Sequence, residues 1–147
     1  MDLERIEIRN KIIAFEGHIK TLPGALITQE EIDTVNPLKH SFGEGCYVRE
    51  MNSPADELIV TKIHKKAHPF FLLEGEISIL TERGYQRIKA PFYMVTPAGT
   101  KRIIRTHSPI KLVTIHVTDK TDLDEIENEI IAKDFSEFDN IIEIGEI

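Results

Sequence analysis

Lys62, His64, His68 and Arg102 are the side chains of this 147-residue chain whose types and spacing best suit binding chemistry. Lys62, His64 and His68 precede an apolar run, Pro69-Phe-Phe-Leu-Leu73, that ends in Glu74-Gly75-Glu76. Arg102 closes a second stretch, Pro97-Ala-Gly99-Thr-Lys-Arg102, with Lys101 and Arg105 beside it. Residues two apart on a strand share a face, so Lys62 and His64 are expected to point inward together, with His68 folding back towards His64. His116, on the same strand face as Leu112 and Thr114, is a candidate third imidazole.

These residues support two chemistries and one inert arrangement. Arginine offers a planar fork to phosphate or carboxylate, and lysine offers a point charge. Lys62, His64, His68 and Arg102, walled by Phe70, Tyr93 and Phe92, would form a cationic pocket for a small anion, with Lys101 and Arg105 at its mouth. Protonation of its histidines as pH falls from about 7.5 to 5.5 would tighten that binding. Alternatively, His64, His68 and His116 form a donor set suited to Zn, Ni or Fe, opposed by the fixed charges of Lys62 and Arg102. In the inert arrangement Lys62 and Arg102 pair with Glu74, Glu50 or Glu76 and hold no ligand.

The elements that must position these groups are mainly strands. Residues 3–20 predict a short helix to about Gly17, Pro23-Gly24 breaks the chain, and Thr28-Gln-Glu-Glu31 reads as a capped turn. From residue 45 the pattern becomes β: 45–51, then 58–64 as one strand, 70–73, 77–80, 85–89, a Phe-Tyr-Met-Val strand between Pro91 and Pro97, 101–106 and 110–117. Glu74-Gly75 and Thr81-Glu-Arg-Gly84 are the turns. Short strands at regular spacing with Gly/Pro turns predict a sandwich or barrel. A closing helix, capped by Thr121 or Asp122, carries Leu123, Ile126, Ile130 and Ile131 as a stripe expected to pack on the outside of a sheet. The segment 134–147 reads as an acidic tail or an added strand.

Composition narrows the function classes. The chain is about one domain's length and carries a net charge of −7. That charge argues against general nucleic-acid binding, which gains from many phosphate contacts. The distribution is uneven: residues 54–116 hold ten Lys/Arg against five Asp/Glu, while 117–147 hold two against eleven. A positive centre between acidic ends suits attraction of an anion. No apolar run approaches a membrane span, and the N-terminus shows no basic-then-apolar signal, so no membrane partner and a cytoplasmic location are expected. Cys46 is the single cysteine, which excludes an intramolecular disulfide and a Cys-based metal site. Cys46 with His40 is a weak candidate thiolate pair, and no Ser-His-Asp order or phosphate-binding glycine loop stands out.

The two stretches resemble the paired sequence motifs of the cupin superfamily of small β-barrels. Aligned on Gly75, the first motif (His-x-His, then Glu) falls on Lys62, His64 and His68. The second (Pro-x-Gly-x-x-His) falls on Pro97, Gly99 and Arg102. Only His64 keeps the family's metal-ligating residue. A longer string is similar to a group of cupin-like proteins common in phages and prophages, across residues 38–130. It includes His40-Ser-Phe, Gly45-Cys-Tyr-Val-Arg-Glu, Pro54-Ala55, Ala90-Pro91, Thr114-Ile-His116 and Thr121-Asp-Leu.

The resemblance implies an all-β, cupin-type jelly-roll barrel with short terminal helices. It would be divided as an N-terminal arm (1–40), a barrel (41–118) and a C-terminal helix with acidic tail (119–147). A homodimer or higher homo-oligomer is expected, through a sheet face or an exchanged arm. Three functions follow: a non-enzymatic binder of a small anionic metabolite or host signal, acting in the host cytoplasm if phage-encoded; a metal-dependent dioxygenase or isomerase using the three histidines; or a virion-associated or scaffold module without a ligand.

Overall fold

The computed structural model describes residues 3–138, so the end of the acidic tail at 139–147 lies outside the described residues. Two helices precede the sheets: α1 (Leu3–Ile19) and α2 (Gln29–Val35). Thr28 caps α2, its hydroxyl accepting from the Glu31 N–H, so the expected capped turn opens a two-turn helix.

The strands are β1 (Leu38–Gly43), β2 (Cys46–Ser53), β3 (Leu58–Val60), β4 (Ile63–His64), β5 (His68–Glu74) and β6 (Glu76–Thr81). They continue as β7 (Gly84–Lys89), β8 (Phe92–Thr96), β9 (Ile103–Thr106), β10 (Ile110–Val117) and, after helix α3 (Leu123–Ile130), β11 (Ile131–Ala132). All pairings are antiparallel. One sheet has the order β1-β2-β10-β5-β8, a second β3-β9-β6-β7, and β4 and β11 form a small third ladder.

Strand alternation builds the core. On β5, His68, Phe70 and Leu72 are buried between partly exposed neighbours, and on β10 Ile110, Leu112, Thr114 and His116 are. Met51, Phe70, Leu72, Ile77, Ile79, Ile88, Ile104, Ile110 and Leu112 form the apolar interior between the two large sheets. Each such side chain contributes about 1.5–3 kcal/mol on burial. The Glu74-Gly75 turn requires glycine. Its φ is +90°, and a Cβ there would lie 2.3 Å from the Pro109 carbonyl oxygen.

Three expectations need correction. The sheets do not close into a barrel: β8 and β7 remain edge strands of separate sheets. Pro91 and Pro97, which lack the N–H a further ladder would need, bracket β8. The single strand expected over 58–64 is broken into β3 and β4 at Thr61-Lys62. There the Thr61 N–H donates to the Arg102 carbonyl and the Thr61 hydroxyl accepts from the Arg102 N–H, both at 2.9 Å, so alternation does not carry through to Lys62. Helix α3 does not pack on the outside of a sheet. Ile126 and Ile130 cover Tyr47, which faces inward from β2, so α3 caps one end of the interior. Asp122 caps α3, its carboxylate accepting from the Asp124 and Glu125 N–H groups at 3.0 Å.

Candidate functional site

Beyond the apolar core, the space between the sheets is lined by polar groups. His64, His68 and His116 come from β4, β5 and β10. Their ring centres lie 4.3 Å apart for His64–His68, 4.8 Å for His68–His116 and 5.1 Å for His64–His116. The fold therefore unites the three imidazoles picked out in the sequence. His68 and His116 are only 2% and 4% exposed. His116 Nε2 pairs with the Thr114 hydroxyl at 2.9 Å, and His68 Nδ1 with the Lys66 carbonyl at 3.2 Å. His68 Nε2 is buried with no hydrogen-bond partner among the described residues.

Burial, before any other cause, holds all three rings neutral. His64 falls to about 2, helped by His68, His116 and Arg102; His116 falls to about 3, helped by His68 and Arg49. His68 falls to about 4, the Lys66 carbonyl resisting the shift and Arg102 adding to it. These shifts run against the titration of the histidines expected between pH 7.5 and 5.5.

Arg102 sits where its motif directs it, 3% exposed. Its Nη1 donates to the Thr96 hydroxyl at 3.0 Å, and its guanidinium carbon lies 4.7 Å from the centre of the Phe70 ring. Its Nε is buried without a hydrogen-bond partner among the described residues. Desolvation, with Arg49 as the second cause, pulls its pKa down to about 10, which leaves it charged. The backbone at Gly99, with φ +77° and Phe138 packed where a Cβ would sit, fixes the turn that delivers it. A cavity of about 220 Å³ reaches Arg102 between the free edges of the two sheets, past Thr96, Met94, Tyr85 and Gln86.

Other sequence candidates lie elsewhere. Lys62 leaves the interior and pairs with Glu127 on α3, both about half exposed. Tyr93 points outward, 74% exposed, because it alternates with the inward Phe92 and Met94 on β8. Phe70 is fully buried beneath Arg102, as a wall residue should be. Lys101 pairs with Glu16 of α1 at 3.0 Å, and Arg105 is exposed on β9. The inert pairing with Glu74, Glu50 or Glu76 is formed by neither Lys62 nor Arg102. His40 pairs with the Tyr47 hydroxyl at 2.6 Å, which removes it as a partner for Cys46.

Arg49 is the site residue that the motifs did not mark. It alternates with the buried Tyr47 and Met51 on β2, and so faces inward opposite Thr114 of β10. Burial lowers its pKa, with Tyr47, Asp33 and Glu127 opposing the shift. The available signal was strand alternation from Tyr47. Among the described residues no carboxylate lies within ion-pairing distance of Arg49 or Arg102.

The imidazoles have the donor chemistry for a divalent metal. His64 and His116 lie 8° from parallel with their ring centres 5.1 Å apart. Among the described residues no group of three or more His, Cys, Asp or Glu is arranged to hold a metal ion.

No family model matches the chain, and no curated protein does. Solved structures do. A salicylate 1,2-dioxygenase from Pseudoaminobacter salicylatoxidans is similar over 84% of this chain but 35% of its own length, with 10% identity and a TM-score of 0.55. The cupin domain of Cnp3 from Schizosaccharomyces pombe matches 77% of this chain and 81% of its own, at 19% identity and TM-score 0.51. A cupin superfamily protein from Desulfitobacterium hafniense matches 57% and 78%, at 13% identity and TM-score 0.50. At these identities the likeness speaks for architecture alone, and on that evidence, together with its two antiparallel sheets, the chain has the cupin fold.

Proposed function

We propose that this protein is a cupin-fold binder of a small anionic molecule, held between the sheets by Arg102. The carrying observation is a buried guanidinium with an unpaired Nε and no carboxylate partner among the described residues. A buried unpaired charge is costly, and an anion accepting from the Arg102 Nε–H relieves that cost. Phe70 supplies the apolar wall behind the guanidinium. The resemblance to phage and prophage proteins makes a host metabolite or signal the natural source of such a ligand. Calorimetric titration with inorganic phosphate and with benzoate tests the reading: saturable binding by the wild type and none by Arg102→Leu supports it, and equal heats from both proteins refute it.

Metal-dependent catalysis is the competing reading, favoured by the three adjacent neutral imidazoles. Elemental analysis of untagged protein decides between them: stoichiometric Zn, Ni or Fe on His64, His68 and His116 supports an enzyme. Arg102→His, which replaces the opposing cation by a fourth imidazole, should raise Ni affinity.

We also propose that the protein pairs with a second copy through the outer face of the five-stranded sheet. Val48, Phe71, Tyr93, Val95, Val113 and Ile115 share that face. Tyr93 and Val95 on it are 74% and 61% exposed. Strands apolar on both faces are the signature of sheets covered on both sides. The rim carries both signs, with Lys39 opposite Glu50 and Lys111 beside Glu74, which suits a self-complementary two-fold contact. Sedimentation at twice 16.8 kDa, shifted to 16.8 kDa by Tyr93→Glu, is the expected result; a wild-type monomer refutes it.

A further inference from the structure

The anion-binding reading leaves the charge of the ligand open, and Arg49 closes it. We propose that Arg49 and Arg102 together bind a small dianion, a dicarboxylate or a phosphate monoester, the two guanidiniums sharing its two negative charges. This rests on the anion-binding reading and deepens it.

The two arginines reach the polar interior from different segments of the fold. Arg49 projects from β2 opposite Thr114, whose hydroxyl holds His116. Arg102 enters from the start of the β9 segment and is anchored to Thr96 of β8. Arg49 is thus linked to the imidazole cluster through Thr114 and His116, and Arg102 through Thr96, which stands opposite His68 in the β5–β8 register; both charges also help to hold His64 and His116 neutral. They also act on each other, Arg49 being the charge that adds to the desolvation of Arg102.

The remaining charged groups facing this region do not neutralise them. Asp33 of α2 and Glu127 of α3 influence Arg49 from beyond ion-pairing distance, and Glu127 is engaged by Lys62. The imidazoles are held neutral, chiefly by burial, and add no charge. The interior therefore carries two positive charges. A monoanion would leave one guanidinium uncompensated in a water-poor space, whereas a dianion satisfies both. The Lys62–Glu127 pair completes the arrangement by keeping a carboxylate from taking the ligand's place on Arg49.

The test is calorimetric titration of the full chain at about pH 7.5 with malonate, inorganic phosphate and acetate, using wild type, Arg49→Gln and Arg102→Gln. The expected wild-type result is at least one dianion binding about 10-fold or more tightly than acetate. Malonate ahead of phosphate assigns a dicarboxylate, and phosphate ahead of malonate assigns a phosphate monoester. Arg49→Gln should lose about 10-fold or more in dianion affinity while holding acetate affinity within about two-fold, and Arg102→Gln should lose both. If Arg49→Gln keeps the wild-type ratio of dianion to acetate affinity, the second-cation assignment is overturned while anion binding at Arg102 stands. If the wild type binds none of the three probes, both fall. Should Arg49→Gln not fold, the wild-type ratio still decides, equal dianion and acetate affinities overturning the proposal.

Discussion

At one end of the space between the sheets, β5 and β10 supply Phe70, Leu72, Ile110 and Leu112; at the other, the same strands supply His68, Thr114 and His116. Both sets sit on the inner face by alternation and both are buried to within a few per cent. The apolar end gains free energy from being dry. The polar end loses it, because its imidazoles are pinned in the neutral form and its guanidiniums keep their charge without a carboxylate. Identical strand geometry thus serves stability at one end and binding at the other, and only the side chains differ.

The sharpest test of this contrast is acid. The buried His68 and His116 have folded-state pKa values below the ordinary value near 6.5, so the unfolded chain binds more protons below that pH. Their contribution to stability is fully present above about pH 6.5 and is lost as pH falls towards about 4. Each costs up to about 1.4 kcal/mol per pH unit in that window, several kcal/mol together. Urea midpoints measured from pH 7.5 to 4 should fall accordingly, and His116→Phe should flatten the slope; a midpoint independent of pH would break the contrast.

Next in size is Phe70→Ala. It opens a cavity in the apolar end and removes the ring beneath Arg102, so a loss of about 3–5 kcal/mol in urea unfolding is expected together with weakened anion binding. A loss below about 1 kcal/mol would mean that Phe70 is not a shared support of both ends.

Arg102→Leu should separate the two ends. It abolishes anion binding, yet the protein should stay folded and be no less stable without ligand, because a buried unpaired cation is removed. A large destabilisation would show instead that Arg102 holds the sheets together.

The smallest effect is expected from Lys62→Met. Its ion pair with Glu127 is half exposed, a class worth about 0–1 kcal/mol. Loss of that pair frees Glu127 near Arg49, so dianion affinity should fall modestly while acetate affinity holds. Abolished binding of every anion would return Lys62 to the pocket that its motif position first suggested.

Much of this was legible in the sequence. The Gly75 turn, the β5, β6, β8 and β10 segments, the α3 cap and the inward face of His116 follow from local rules of alternation, turn chemistry and capping, while Arg102 was placed by its likeness to the second motif. These rules act within a few residues, so sequence spacing is enough to apply them. Lys62 failed for the same reason. Its placement assumed an unbroken strand, whereas the paired Thr61 and Arg102 hydrogen bonds, joining residues 41 positions apart, interrupt it.

The amino-acid order by itself determined which residues could face inward and what chemistry they would bring there: three imidazoles, an arginine fork and an aromatic wall. Only the tertiary structure decided which of them meet. It drew His116 to His64 and His68 across the sheet, turned Lys62 out to α3, left the sheets open at β7 and β8, and set Arg49 inside without a carboxylate. The physical reason is that charge compensation is a long-range property. Whether a buried guanidinium is paired depends on chain segments brought beside it by folding, and no local pattern records their arrival.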